Sequence, residues 1–452
     1  MFGQELKKMG IATAYRYIEK NPKDNLRKLM TWVDRIAGEG PDSFEEQRKV
    51  IWDILDHPES NMYQLIMRVI EEVDPEVVKT VFSNFFLNAA ILGWPKQEKL
   101  RAEYNCNIPW AILLDPTSAC NLHCTGCWAA EYGNKLNLTF DEIDSIIEQG
   151  KELGIYFYIY TGGEPLVRKN DLIALCKKHS DCIFLSFTNA TLIDEAFADD
   201  MLRVKNFVPA ISVEGDMAAH DGRRGKGSYE KVEKAMKLLK EKKLPFGVSC
   251  CYTSANCDSI SSDEFYDWLV DKGVLFAWYF HYMPVGNDAA IDLLPTPEQR
   301  EYMYHRVREI RGLEGGKPIF AIDFQNDGEY VGGCIAGGRN YLHINPNGDV
   351  EPCVFIHYSS ANIKEVTLLE ALKQPLFMAY RDNQPFNNNH LRPCPMLENP
   401  EYLRNMVKKC NAKSTDLQSL EEVDHLCDKC TLYAHNWADV ADKLWEENKK
   451  DK

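Results

Sequence analysis

The chain has 452 residues, 45% of them hydrophobic and 27% charged. That is an ordinary globular composition with room for roughly two to four domains. Its 52 Lys+Arg against 68 Asp+Glu give a formal net charge of −16, which argues against duplex DNA or RNA as the main partner because such polyanions are held mostly through phosphate contacts. The 15 cysteines, an odd number spread over a long chain, do not form the pattern of a disulfide scaffold.

The opening, Met1 to Lys8, has no apolar core and no small-residue cleavage site. The most apolar stretch, Val81 to Trp94, is interrupted by Ser83, Asn84 and Asn88 and is shorter than the ~20 residues of a spanning helix. The expectation is a cytoplasmic protein without a transmembrane segment, whose thiols stay reduced and serve metals or chemistry. Residues 1–108 read as a helical domain: apolar residues recur at helical spacing over Asn25–Val33, Phe44–Leu55, Asn61–Val73 and Pro75–Leu92, and Pro95 should stop the last of these. From Trp110 the pattern changes to short apolar runs alternating with amphipathic helices. Strands are expected at 110–114, 155–160, 182–187, 208–213, 246–252 and 275–282. Helices are expected at 139–153, where Thr139 and Glu142 have capping-box spacing, and at 228–243, 262–272 and 297–311. Six strand–helix units imply an α/β fold with a parallel sheet, open or curled toward a barrel, with its chemistry at the carboxyl ends of the strands. Residues 313–452 lose the alternation and become rich in Cys, Pro and Asn, a region that a metal would help to hold together.

The loop after the first strand reads Cys120-Asn121-Leu122-His123-Cys124-Thr125-Gly126-Cys127. Three thiolates at these spacings can converge on one cluster, one short of the four that saturate a cubane, and so leave an iron open. A zinc site completed by His123 or a distant residue, or unrelated buried cysteines, are the alternatives. The second strand ends in Thr161-Gly162-Gly163-Glu164-Pro165, where two glycines allow close backbone approach and a carboxylate can accept from an ammonium group.

Together, Cys-x3-Cys-x2-Cys and Gly-Gly-Glu-Pro one strand later resemble the radical S-adenosylmethionine (SAM) superfamily over about residues 109–312. The resemblance implies a partial (β/α)6 barrel with a [4Fe-4S] cluster on Cys120, Cys124 and Cys127, and with SAM on the open iron through its amino and carboxylate groups. It also implies an electron from a low-potential donor such as ferredoxin or flavodoxin, which cleaves SAM to a 5′-deoxyadenosyl radical that abstracts hydrogen from substrate. Residues matching Gly162, Gly163 and Glu164 contact the SAM amino group in the family. Ser186 and Asn189 end the third strand where the family places polar SAM-facing residues. Ser212 and Glu214 resemble its Ser-x-Asp-Gly segment with Glu for Asp, and Arg224 matches an arginine that pairs with the SAM carboxylate. Gly126 departs from the family, which usually has an aromatic residue there, and Trp128 follows the third cysteine.

Farther on, Cys334 and Cys353 flank the turn Asn345-Pro346-Asn347-Gly348, expected as a hairpin tip. Cys-x13-Gly-x4-Cys resembles the opening of the SPASM or twitch extension, which carries auxiliary iron–sulfur clusters. Six cysteines cannot fill two four-cysteine clusters, so one auxiliary cluster is expected, on Cys334 and Cys353 with two among Cys394, Cys427 and Cys430. Cys410 is the expected bystander, and a structural zinc on the same residues is the alternative. Cys176, Cys182, Cys250 and Cys251 read as packing residues, and the aromatic run Phe276–Tyr282 reads mostly as barrel wall, with His281 or Tyr282 as candidates to line a substrate cavity. The expected activity is modification or bond formation at an unactivated carbon of a peptide or protein. A lipid acyl or isoprenoid chain is the alternative, prompted by the apolar surface of Val77–Trp94 and implying peripheral membrane contact. A non-catalytic electron carrier would leave Gly162–Glu164 without a role.

Overall fold

The computed structural model describes residues 22–37, 45–313 and 315–450. The readings at Met1–Lys8 and at Phe44 lie outside the described residues. The amino-terminal region is helical: α1 (Pro22–Ala37), α2 (Glu45–Asp56) and α3 (Asn61–Glu72) bury Met30, Leu55, Tyr63 and Met67 together. Ser60 caps α3 by accepting from the Tyr63 amide.

The next helix, α4, runs unbroken over Pro75–Tyr104, so the expected stop at Pro95 is corrected. A π-helical stretch, Ser83–Gly93, precedes Pro95, which falls in the first turn of the α-helical segment that follows. There its missing N–H and fixed φ are tolerated. By length and composition α4 could cross a membrane. Its polar interruptions, however, dock it on the barrel: Asn84 donates to Ser180 and Cys182 carbonyls, Asn88 to Asp181, and Gln97 to Gly154 at 2.8 Å. Gly93 permits the close approach, since a Cβ there would lie 2.5 Å from the Gly154 carbonyl oxygen.

Strands β1 (Ala111–Leu114), β2 (Phe157–Tyr160), β3 (Ile183–Thr188), β4 (Phe207–Ser212), β5 (Gly247–Tyr252) and β6 (Phe276–His281) follow the predicted runs closely. They pair in chain order and parallel. The connecting helices are α5 (Phe140–Glu152), α6 (Lys169–Lys178), α7 (Glu195–Val204), α8 (Met217–Arg224), α9 (Ser228–Glu241), α10 (Cys257–Ser261), α11 (Asp263–Lys272) and α12 (Pro297–Arg311). The capping box at Thr139 and Glu142 is present on α5. The sheet is larger than expected: β7 (Phe320–Asp323) adds beyond β6, β8 (Tyr341–Ile344) pairs parallel with β1, and β9 (Val350–Glu351) pairs antiparallel with β8. Strand alternation sorts the core: Ile112, Leu114, Tyr158 and Phe184 pack toward the helices, while Ala111, Leu113, Phe157 and Ile159 face inward. Phe187 on β3 meets Trp278 on β6 with ring centroids 5.5 Å apart. Contact between strands three places apart requires the sheet to curl, giving the partial barrel.

The expected hairpin is present, with β8 and β9 joined through Asn345–Asp349. It is followed by α13 (Leu368–Leu372), α14 (Pro375–Asn383), α15 (Pro400–Cys410) and the long α16 (Val423–Lys450). Arg300 of α12 and Glu398 are both fully buried and pair at 2.7 Å, with the guanidinium 4.2 Å from the Trp437 ring centroid. This joins the barrel to the carboxyl-terminal region.

Candidate active site

The loops after β1 and β2 are pressed together at the carboxyl end of the sheet. The Gly163 and Glu164 amides donate to the Thr117 and Ala119 carbonyls, at 3.0 and 2.8 Å. A Cβ on Gly163 would lie 2.4 Å from the Ala119 oxygen and 2.5 Å from that of Ser118, so only glycine permits this contact. Glu164 is buried beneath the loop and accepts from the Thr188 hydroxyl at 2.7 Å and the Asn189 and Leu166 amides. Burial pushes its carboxyl above the usual range, against those hydrogen bonds.

One cavity of about 350 Å³ opens from this end. Cys120, Cys124 and Cys127 border it, as do Gly162, Gly163, Glu164, Asn189, Ser212, Arg223 and Arg224. The Leu122 amide approaches Cys120 Sγ at 3.5 Å. Two expected residues do not border the cavity: Ser186 and Glu214 are fully buried. Glu214 instead carries the arginines, accepting from Arg223 Nη1 at 2.8 Å and Arg224 Nε at 2.7 Å. Burial alone would raise its carboxyl, but the two guanidiniums hold it below the usual range. Two arginines on one carboxylate leave a positive charge beside the cysteines, suited to an anionic group. Arg223 also exchanges hydrogen bonds with Thr125, bracing the cysteine loop.

Gly126 has φ +66°, and a Cβ there would meet the Tyr282 ring at 2.7 Å. Tyr282 therefore occupies the space that a side chain at position 126 would take. Both His281 and Tyr282 border the cavity. The His281 Nδ1 faces the Tyr282 carbonyl, and its Nε2 lies 2.6 Å from the Tyr433 hydroxyl, so neither ring nitrogen is free. Cys251, expected as packing, also borders the cavity. The remaining wall is mostly apolar and largely aromatic, including Trp110, Phe157, Phe187, Trp278, Phe280 and Phe324, with Thr161, Ser249 and Asn340 as its polar members.

In the carboxyl-terminal region Cys334, Cys353 and Cys394 border a second cavity. The Tyr341 hydroxyl donates to Cys353 Sγ at 2.7 Å, and the Met396 and Leu397 amides approach Cys394 Sγ at 3.4 Å. Glu398 accepts from the Cys394 amide at 2.6 Å. Cys427 and Cys430 are fully buried on α16 and border neither cavity. Cys410 is half-buried at the end of α15.

A buried ionic group joins the two regions and has no counterpart in the sequence reading. His343 on β8 lies 3.1 Å from Asp115, just past β1, and 2.6 Å from Glu351 on β9, all fully buried. Tyr132 and Thr415 donate to Glu351 as well. Burial alone would lower the His343 pKa, yet Asp115 and Glu351 raise it to about 10. Trp128, beside Cys127, rests its ring edge-on near His343 and His357, at 5.8 and 6.1 Å. The signal was a histidine amid an otherwise apolar strand and an aspartate closing another; only their pairing across β1 and β8 gives them meaning.

A family model for the radical SAM superfamily matches residues 114–255, and one for the SPASM iron–sulfur cluster-binding domain matches residues 334–396. The chain belongs to the radical SAM superfamily and carries a SPASM domain. It is a radical SAM enzyme whose cofactors are a [4Fe-4S] cluster, SAM and auxiliary iron–sulfur chemistry in the SPASM domain. An AdoMet-dependent heme synthase of Nitratidesulfovibrio vulgaris is 25% identical over 315 residues, 63% of this chain and 84% of that protein. A PqqA peptide cyclase of Streptomyces rochei is 26% identical, covering 62% of this chain and 77% of that one. Among solved structures, Streptococcus suis SuiB bound to S-adenosylmethionine superposes with a TM-score of 0.55 at 19% identity, over 67% of this chain and 76% of that one. It supports the fold.

The site fits these groups. Three half-buried thiols and a buried carboxylate open onto one cavity beside two arginines. In the SPASM domain the buried Tyr380 hydroxyl has no partner and borders the three-cysteine cavity, where a cluster sulfide would accept from it.

Proposed function

We propose that this radical SAM enzyme abstracts hydrogen from an unactivated carbon of an apolar or aromatic group on a peptide or protein, leading to bond formation or modification. The observation that carries this reading is the wall of the cavity: its charged residues, Glu164, Arg223 and Arg224, lie with the cysteines, and most of the rest is aromatic and aliphatic, with a few neutral polar side chains such as Asn189, Ser212 and Asn340. Such a wall excludes water and admits a hydrocarbon surface. Cys120, Cys124 and Cys127 would hold the cluster, Glu164 and the backbone at Gly162 and Gly163 the SAM amino group, and Arg224 its carboxylate. Asn189 and Ser212 offer further polar contacts at the rim. When bound, cluster and SAM supply a 5′-deoxyadenosyl radical on receiving an electron from a donor such as ferredoxin or flavodoxin. The chain's own contribution is to hold Arg224 against Glu214, brace the cysteine loop through Arg223, and present C–H bonds on a dry surface. The names of the PqqA peptide cyclase and of a cysteine-type anaerobic sulfatase-maturating enzyme of Clostridium perfringens, 28% identical over 38% of this chain and 52% of that protein, support a peptide substrate.

A second reading, a lipid chain as substrate, draws on one specific observation. Phe82 and Phe86 on α4 are 44% and 48% exposed. Phe86 packs on Phe85 at 5.2 Å, and Phe85 packs edge-on against Trp110 and Phe157, at 5.3 and 5.5 Å, which border the cavity. An aromatic path thus runs from the surface to the cavity floor. Deuterium transfer into 5′-deoxyadenosine separates the readings: label arriving from a deuterated peptide fraction supports the first, and label arriving only from a lipid fraction replaces it with the second.

A further inference from the structure

On the outer helical layer, Asp144 and Glu148 stand one turn apart on α5, and His179 closes the last turn of neighbouring α6. Each brings one metal-ligating atom within 4.8 Å of the others. The His179 side chain is fully buried, and its Nε2 lies 2.9 Å from Asp144 Oδ1. That bond to a carboxylate assigns the ring proton to Nε2 and leaves Nδ1 as a lone pair. No hydrogen bond reaches the buried Nδ1. Glu148 Oε1 faces it from 3.4 Å. Two electron-rich atoms turned toward each other in a buried spot need positive charge between them. A second proton on the ring would draw the pair into a straight N–H···O bond of about 2.7–2.9 Å, and this contact is longer and misaligned. A metal ion explains the spacing directly: two ligand atoms about 2.0–2.2 Å from a tetrahedral zinc lie about 3.3–3.5 Å apart.

We infer that His179 Nδ1 and Glu148 Oε1 bind a divalent cation of the zinc class, with Asp144 as the positioning residue that orients the imidazole. A carboxylate on the far ring nitrogen is the usual companion of a metal-binding histidine. The ring nitrogen selects against magnesium and calcium, which take oxygen ligands. Asp144 is not itself a ligand: its Oδ1 holds Nε2, and its Oδ2 accepts from Lys178 Nζ at 2.6 Å. The Glu148 side chain is 54% exposed, so water completes the coordination from the solvent side. Cys182, three residues beyond His179, is fully buried and turns its thiol toward Asp181 at 3.9 Å. The three residues border neither cysteine-lined cavity. They stand instead where α4 docks, because Asn84 and Asn88 donate to the carbonyls of Ser180, Asp181 and Cys182. The cation therefore clamps α5 to the loop that receives α4, a structural role.

This site is independent of the proposed substrate and of SAM cleavage. Its test uses the full chain with its iron–sulfur clusters reconstituted anaerobically, so that the cluster cysteines are occupied, titrated with zinc sulfate against a competing chelator. The expected result is one zinc per chain with the iron content unchanged, and an affinity at least tenfold lower in Glu148→Gln and in Asp144→Asn. Glu148 is half-exposed, so its amide variant should keep the parent's circular dichroism. A second measurement leaves the chain unaltered: zinc X-ray absorption of the parent should show nitrogen and oxygen neighbours at about 2.0–2.2 Å and no sulfur. Saturating zinc should also raise the thermal midpoint of the parent and leave that of Glu148→Gln unmoved. No zinc bound by the parent at millimolar concentration means a protonated His179 between two carboxylates and overturns the site. Equal affinity in Glu148→Gln, or sulfur in the first shell, overturns the ligand set. Zinc bound at the site without a shift in midpoint overturns the clamp.

Discussion

Gly163 and Glu214 carry more of the site than their chemistry suggests. Gly163 permits the β1 and β2 loops to touch, and Glu214 fixes two arginines. Gly163→Ala forces a methyl against two carbonyl oxygens at 2.4 and 2.5 Å. The expected outcome is a loss of about 1–3 kcal/mol in stability and a SAM affinity lowered at least tenfold, read by isothermal titration of the reconstituted protein. Glu214→Gln removes the charge facing Arg223 and Arg224 in a site where the carboxylate is fully buried. Breaking a buried pair of this kind costs about 3–5 kcal/mol, measurable as a drop in the denaturant midpoint. The glycine motif was legible in the sequence because its spacing from the cysteines is distinctive. The role of Glu214 was not: the sequence placed it at a strand end, but only the fold turns it away from the cavity and toward the arginines. The same limit applies to Gly126, whose partner Tyr282 lies 156 residues away and is brought over it by β6.

Among the elements, β8 and α4 depart furthest from expectation. Strands β1 to β6 were legible from apolar runs because one face of each is buried against the helices and the other is buried or lines the largely aromatic cavity. β8 was missed as a sheet member because its parallel partner β1 lies 230 residues earlier and no local pattern encodes that pairing. The joint between them is the His343 group. Folding raises the His343 pKa to about 10, from an unfolded value near 6.5, so the folded protein keeps a proton that the unfolded chain releases. The resulting stabilisation is complete below about pH 6.5 and disappears as pH climbs through about 10. His343→Gln should lower the unfolding midpoint at pH 6 and flatten its decline between pH 6.5 and 10; a variant with the parent's pH profile would show that His343 is neutral when folded. For α4 the helix itself was legible, but its end was misplaced because Pro95 falls in the first turn of the α-helical segment that follows the π-helical stretch, where a proline is tolerated. On the lipid reading, the full chain co-sediments with phosphatidylcholine vesicles, and Phe82→Ser with Phe86→Ser reduces the bound fraction several-fold. Neutral vesicles are the fair probe, since a chain of charge −16 is repelled by anionic ones. No binding by the full chain removes that reading.

At the scale of the whole molecule, the barrel and the SPASM domain are one construction. β8 extends the barrel sheet, Arg300 of α12 holds Glu398, and His343 bridges Asp115 to Glu351. The effect is to place two cysteine-lined cavities on either side of a shared apolar wall. The central claim is that the triad at Cys120, Cys124 and Cys127 makes this chain a SAM-cleaving enzyme, and one assay tests it most directly. The reconstituted full chain is reduced anaerobically with dithionite in the presence of SAM, and 5′-deoxyadenosine and iron are quantified. The account predicts release of 5′-deoxyadenosine by the parent, none by the Cys120→Ala, Cys124→Ala, Cys127→Ala variant, and a loss of about four irons in that variant. Undiminished release by the triple variant, or no release by a parent with its full iron content, would contradict it.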